Sequence, residues 1–321
     1  MKTIGFVIST KNNEKRRAIL PKDLDRVKNT NLLYFEEGYA EHLGFSDEMY
    51  QEAGANVASL EEVLKCDIIV DVKLGDALYL HLLKESKMLV GWAHAVQNIE
   101  FTSDMMEKGH TVVAWEEMFE DGRYIFYRNR EIAGEAAILH AYQFLGKMPY
   151  ETKVAILGNG QTAKGALRVL HGLGARVDVY DFHLEKLFLK NMGDYDVLVN
   201  CILWDTNRED RIIYREDLQK LKKGSMIIDV SCNNYLEIET SGPTTIDDPV
   251  YEVDGIIHYA VDNTPAMFPH TVTNILSEGF AKYVDKFVEG DWNEAMKNAI
   301  VIEEGKIIDE DIRKFRERRG L

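Results

Sequence analysis

The segment KVAILGNGQTAKGALRVLHGL (Lys153–Leu173) constrains the fold of this chain more than any other. An apolar run enters Gly158-Asn159-Gly160-Gln161-Thr162-Ala163 and leaves as an amphipathic stretch, which predicts strand, tight turn and helix. Gly158 permits the turn, Gly160 lets the backbone approach a pyrophosphate, and Ala163 lets the helix lie close to the strand. Gln161 and Thr162 open the helix, where N–H groups without intrahelical partners face phosphate oxygens. A second strand, Arg176–Asp181, ends in a carboxylate about 20 residues on, the spacing that suits the adenosine ribose of a dinucleotide. GxGxxA alone is a weak signal; the strand before it, the helix after it and the acidic residue beyond carry the reading. A carboxylate at 181 accepts hydrogen bonds from a free 2′-hydroxyl and repels a 2′-phosphate, and no Arg follows in Asp181-Phe182-His183-Leu184-Glu185. NAD(H) is therefore favoured, with NADP(H) as the alternative.

Around this unit, β-branched runs alternate with amphipathic ones. Strands are expected at Thr3–Ser9, Leu32–Glu37, Asp67–Lys73, Met88–His94 and Thr111–Glu116, with helices at Pro21–Lys28, Ser46–Gly54, Leu60–Cys66 and Ala77–Glu85. After a longer helix, Arg130–Gly146, a second series follows at Val154–Gly158, Arg176–Asp181, Val197–Cys201, Ser225–Ser231 and Ile256–Asp262. Such alternation predicts βαβ units and parallel sheets, hence an α/β fold of two domains divided near residues 130–150.

Composition narrows the function classes. The 321 residues are 45% hydrophobic, enough for sizeable cores, and carry a formal net charge of −16. Such a surface repels phosphate backbones and anionic lipid, so neither nucleic acid nor membrane is expected as a partner. Three cysteines (Cys66, Cys201, Cys232), none in a CxxC pair, predict no disulfide framework and no metal site. Cys201 and Cys232 end two strands and read as small buried hydrophobes. The amino terminus places its apolar run before its basic cluster, the reverse of an export signal, so a cytoplasmic protein is expected.

In the first half, Arg16 and Arg17 follow the first strand, Lys73 closes the run DIIVDVK and His94 closes MLVGWAH. Each has a plainer reading as a solvated surface cation or a structural histidine. Shared position raises Arg16, Lys73 and His94: each lies at the carboxyl end of an expected strand, where open α/β sheets hold ligands. Arg16 offers a guanidinium fork to a carboxylate. A desolvated Lys73 would have a lowered pKa and polarise a carbonyl. Glu116, after VVAW, joins the same rim.

These residues resemble the superfamily of alanine dehydrogenases, transhydrogenase α-subunits and lysine-forming saccharopine dehydrogenases, and within it the N5-(carboxyethyl)ornithine synthases. The likeness spans nearly the whole chain. It is carried by KNNEKRRAILP (Lys11–Pro21), VDVK, GWAH, REIAG (Arg130–Gly134), ILGNGQTAKGA, KKGSMIIDVS and PTTIDDPVYEVDGIIHYAVDNTPA (Pro243–Ala266). The resemblance implies two Rossmann-like domains with a cleft between them. One comprises residues 1–130 with 275–321, and the cofactor domain comprises 131–274. It implies opine-type reductive condensation of a 2-oxo acid such as pyruvate with the amine of ornithine or lysine. Alanine dehydrogenase, saccharopine dehydrogenase and an inactive NAD(H)-binding regulator are the alternatives. It makes Lys73 and His94 the proton-handling pair, and Arg16, Glu116, Asn129 and Arg130 substrate-side residues. Glu14, Asp76, Glu116 and Glu131 stand as candidate partners for a cationic amino acid. After IIDV, where alanine dehydrogenases carry an Asp, this chain has Asn233. Small-molecule substrates and a homo-oligomer are the expected partners.

Overall fold

The computed structural model describes residues 1–321 apart from Thr206, Asn207, Glu209, Asn233 and Tyr235. The chain forms two compact units, Met1–Phe126 with Pro269–Leu321, and Tyr127–Phe268. The first unit opens with β1 (Ile4–Phe6), β2 (Leu33–Glu36), α1 (Asp47–Glu52), β3 (Asn56–Ala58), α2 (Leu60–Val63) and β4 (Ile68–Val70). It continues through β5 (Met88–Gly91), α3 (Ile99–Glu107), β6 (Thr111–Ala114) and a hairpin of β7 (Phe119–Glu120) and β8 (Arg123–Tyr124). The second unit holds α4 (Tyr127–Leu145), β9 (Lys153–Leu157), α5 (Gln161–Gly172), β10 (Arg176–Tyr180) and α6 (Glu185–Asn191). Its sheet is completed by β11 (Val197–Asn200), β12 (Met226–Asp229), β13 (Val250–Val253) and β14 (Ile256–Tyr259). The chain ends with α7 (Pro269–Glu289), α8 (Glu294–Asn298), β15 (Ile300–Glu303), β16 (Lys306–Ile307) and α9 (Glu310–Glu317).

The sheet of the first unit runs β16-β15-β6-β5-β4-β1-β2-β3, and that of the second β10-β9-β11-β12-β14-β13. Both are parallel except at one edge, where β15 pairs antiparallel with β6 and β16, and β13 with β14. The central parallel strands are covered on both faces: β1, β4, β11 and β12 are buried at every position, β1 and β4 as unbroken apolar runs and β11 and β12 as apolar runs closed by Asn200 and Asp229. Strand order reverses between β1 and β4 in one unit and between β9 and β11 in the other. At such a reversal the loops leaving the two carboxyl ends diverge and open a crevice, the usual ligand position in α/β sheets.

Two expected helices form short 3-10 segments instead, Pro21–Arg26 and Leu78–Leu82, neither with a side chain capping its amino end. So short a segment without a cap gains too little to complete regular α-helix. The core of the first unit is aromatic beside β1: Phe6 and Phe35 stack at 4.6 Å, with Tyr39, Tyr50 and Phe280 around them. Phe6, Phe35 and Phe280 are fully buried, each contributing roughly 1.5–3 kcal/mol. Helix α7 supplies Phe280 and fixes the loop after β1: the Ser277 hydroxyl accepts from Leu20 N–H at 2.8 Å, and Thr273 accepts from Arg17 N–H at 3.1 Å. Among the described residues no helix is long and apolar enough to cross a membrane.

Candidate active site

In the first unit, strand β1 stops at Phe6 and a long loop carries Lys11 to Arg17. Glu14 caps this loop from within: its carboxylate accepts from Arg16 N–H and Nε at 2.8 Å each, and from Nη2 at 2.5 Å. Both side chains are buried, and the guanidinium lies over Trp92 at 4.9 Å from the ring centroid. Glu14 thus holds Nε and Nη2 of the guanidinium and fixes its direction. Arg17 is a structural tie: its Nε donates to the Tyr39 carbonyl and its Nη1 to the Arg16 carbonyl.

Lys73 and His94 come together. Strand β4 ends at Val70 and β5 at Gly91, so both residues lie on loops rather than closing strands. Two glycines allow those loops to meet backbone to backbone. A Cβ on Gly91 would stand 1.7 Å from the Asp71 carbonyl oxygen, and one on Gly75 would stand 2.1 Å from that of Ala93. Gly75 N–H donates to the Trp92 carbonyl at 3.0 Å. Lys73 Nζ then lies 3.2 Å from His94 Nε2 and 3.6 Å from Asp76 Oδ2.

His94 has φ +47°, a strained conformation for a non-glycine residue. The Glu116 carboxylate holds that turn, accepting from His94 N–H at 2.5 Å and Ala93 N–H at 3.2 Å. Burial pushes the Glu116 carboxyl up to about 7. Glu116 therefore meets backbone in this structure and fixes the direction of His94. Asp71, unnoticed in the sequence, is fully buried; it accepts from Lys73 N–H at 2.8 Å and the Tyr79 hydroxyl at 3.0 Å. Burial raises its carboxyl to about 6. A charge inside the apolar run DIIVDVK was the available signal.

The second unit builds the glycine loop at the β9–β11 reversal. Gly158 has φ +103°, and a Cβ there would stand 2.8 Å from the Cys201 carbonyl oxygen, so the turn itself requires glycine. Gly160 is different. Its φ of −83° suits any residue, and a Cβ there meets no protein atom within 4 Å. Among the described residues nothing excludes a side chain at 160, so the space beside Gly160 is open. This fits a dinucleotide pyrophosphate against the first turn of α5. Ala163 is buried. Asp181 follows the last residue of β10 rather than closing it; Gly158 N–H donates to the Tyr180 carbonyl, and Asp181 Oδ1 accepts from His183 N–H at 3.0 Å. Asn233 lies outside the described residues.

Asn129 and Arg130 lie in the first turn of α4, half-buried. Helices α4 and α5 cross at near backbone contact: a Cβ on Gly134 would stand 2.0 Å from the Thr162 carbonyl oxygen, and one on Gly165 would stand 1.8 Å from that of Glu131. The start of α4 is thereby locked to the helix that opens the phosphate loop. Glu131 is shared by Arg128 and Arg168. Together with the Glu14–Arg16 pair, the bonds of Glu116 and the lysines on Asp76, this means each of the four acidic candidates already has a partner in the chain. Cys201 is a buried hydrophobe. Cys232 is half-buried with φ +54°, its thiol donating to the Asp229 and Val261 carbonyls at 3.0 and 3.3 Å.

Family models for the N-terminal and C-terminal domains of alanine dehydrogenase/PNT match residues 7–125 and 184–311. The chain is 32% identical over 299 residues to N(5)-(carboxyethyl)ornithine synthase of Clostridium botulinum, covering 88% of this chain and 93% of that protein. It is 27% identical over 354 residues to alanine dehydrogenase 1 of Staphylococcus aureus, covering 96% and 95%. A solved L-alanine dehydrogenase superposes with a TM-score of 0.84 at 23% identity, covering 98% of this chain and 99% of that one, and so shares its fold. With both domain models matched and relatives aligned along most of its length, the chain belongs to the alanine dehydrogenase/PNT family of nicotinamide-dependent oxidoreductases.

Proposed function

We propose that this protein joins a 2-oxo acid, pyruvate first, to the side-chain amine of ornithine or lysine, with NADH as reductant. The contact of Lys73 Nζ with His94 Nε2 at 3.2 Å carries the reading. Condensation requires a proton to leave the ammonium nitrogen and protons to reach the departing carbonyl oxygen, which leaves as water. A cation and an imidazole in hydrogen-bond contact suit that exchange near neutral pH. Protonated Lys73 donates to the 2-oxo oxygen, and His94, aimed by Glu116, exchanges protons with the nitrogen. Arg16, held in place by Glu14, takes the keto-acid carboxylate. A bound nicotinamide supplies the hydride that reduces the resulting imine carbon. Gly158, Gly160, Gln161, Thr162 and Ala163 hold its pyrophosphate, and Asp181 its ribose, which favours NADH over NADPH. Asn129 and Arg130, at the start of α4, orient substrate. Asn233 is an amide and carries no charge, so acid–base work falls to Lys73 and His94.

The second reading is alanine dehydrogenase activity, with ammonia as the amine. One observation favours it: Glu14, Asp76, Glu116 and Glu131 all have partners within the chain, and ammonia needs no anionic anchor. NADH oxidation with pyruvate or 2-oxoglutarate, each against ammonia, ornithine and lysine, separates the readings. Turnover with pyruvate that requires ornithine or lysine is expected. A high rate with ammonia alone supports the second reading, a requirement for 2-oxoglutarate and lysine points to saccharopine formation, and cofactor binding without turnover rejects all three.

A further inference from the structure

We propose that Asp76 is a positioning residue whose carboxylate, held between two lysines, keeps Lys73 protonated and turned toward His94. Asp76 Oδ1 lies 3.0 Å from Lys11 Nζ and Oδ2 lies 3.6 Å from Lys73 Nζ. The Lys73 side chain is 9% exposed and that of Lys11 17%. An ammonium so withdrawn from water loses its proton more readily, and an anion within about 4–6 Å opposes that loss. The backbone builds the pair locally: Asp76 N–H donates to the Lys73 carbonyl at 2.9 Å, closing a turn that sets the two side chains together. Lys11 arrives from the loop after β1, so Asp76 bridges the β1–β4 reversal.

Three other carboxylates of this unit have partners of their own among the described residues. Asp71 accepts from the Lys73 backbone and Tyr79, Glu116 from the Ala93 and His94 backbone, and Glu14 from Arg16. A protonated Lys73 donates to His94, so Nε2 is the acceptor and the imidazole proton sits on Nδ1. The catalytic consequence rests on the function proposed above; the charge coupling does not.

The test is the pH dependence of Lys73 acylation by acetic anhydride in the folded protein, read by mass spectrometry of the Lys73 peptide. It needs no turnover. Removing the anion in Asp76→Asn is expected to lower the midpoint by about one pH unit, at the small end of such effects because Asp76 is partly exposed. Lys11→Met removes a competing cation and is expected to raise it, and Asp76→Glu to restore the wild-type value. Unchanged midpoints in Asp76→Asn and Lys11→Met overturn the proposal, as do shifts of the same sign, which would report packing rather than charge. Opposite shifts accompanied by full turnover in Lys73→Met would uphold the coupling and reject the catalytic role of Lys73.

Discussion

Helix α5 contains two glycines that respond oppositely to the same substitution. Gly172 is its last residue, and an added Cβ meets nothing within 4 Å. Gly165→Ala places a Cβ 1.8 Å from the Glu131 carbonyl oxygen, 2.7 Å from its carbon and 3.0 Å from its Cα. All three are backbone atoms, so no rotamer change relieves the clash, and α4 must move away by more than an ångström. Ala gains up to about 1 kcal/mol over Gly within a helix. Overpacking costs typically ~1–3 kcal/mol, and a backbone clash belongs at the upper end. Gly165→Ala should therefore lose about 2 kcal/mol net, while Gly172→Ala is neutral or gains a few tenths. Urea unfolding followed by intrinsic fluorescence measures the first effect. NADH titration measures the effect on binding, because α5, which starts at the phosphate loop, loses its fixed packing on α4, and a several-fold weaker Kd is expected for Gly165→Ala alone. Equal stability and equal NADH affinity in the two variants would refute the crossing and its link to the cofactor site.

Other substitutions separate stability from binding. Gly160→Ala should leave unfolding unchanged, since its Cβ enters open space, yet weaken NADH at least tenfold; unaltered affinity would remove the pyrophosphate from that loop. Asp181→Ser keeps a hydroxyl to cap His183 N–H and removes the charge, so the preference for NADH over NADPH should fall; a wild-type preference for NADPH would contradict the assignment. Asp71 is held near 6 by burial, above its unfolded value near 3.9, so the protonated form is favoured by folding. Its contribution is complete below about pH 4 and is lost as pH rises through about 6, an upper estimate of ~3 kcal/mol for a two-unit shift. Asp71→Asn should flatten that loss in urea unfolding compared at pH 4.5 and 7.5; a mutant-to-wild-type difference independent of pH would contradict it.

Much of this was legible because it is local. Runs of Ile, Val and Leu marked the buried strands, and GxGxxA with Asp181 at its spacing marked the loop that the structure opens at Gly160. Helix α3 was missed: Ile99, Phe101 and Thr102 blur its period, although Asn98, which accepts from Phe101 N–H, was a readable cap. The antiparallel edge was not readable, since Val113 pairs with Ile300 across most of the chain. The glycines that bring Lys73 to His94 act through carbonyl groups on a neighbouring loop, and the Lys11–Asp76 pair joins residues 65 apart. Sequence spacing shows which residues end on one rim. It does not show that Glu14 already fills one edge of Arg16.

The most direct measurement follows the hydride. Wild-type protein is incubated with NADH deuterated at the transferable C4 position, pyruvate, and ornithine or lysine, and the product is analysed by mass spectrometry and NMR. One deuterium at the former carbonyl carbon of a carboxyethyl amino acid is the expected result, lost in Lys73→Met and His94→Gln while NADH still binds. Deuterium in alanine or lactate, or none in any product, would contradict it.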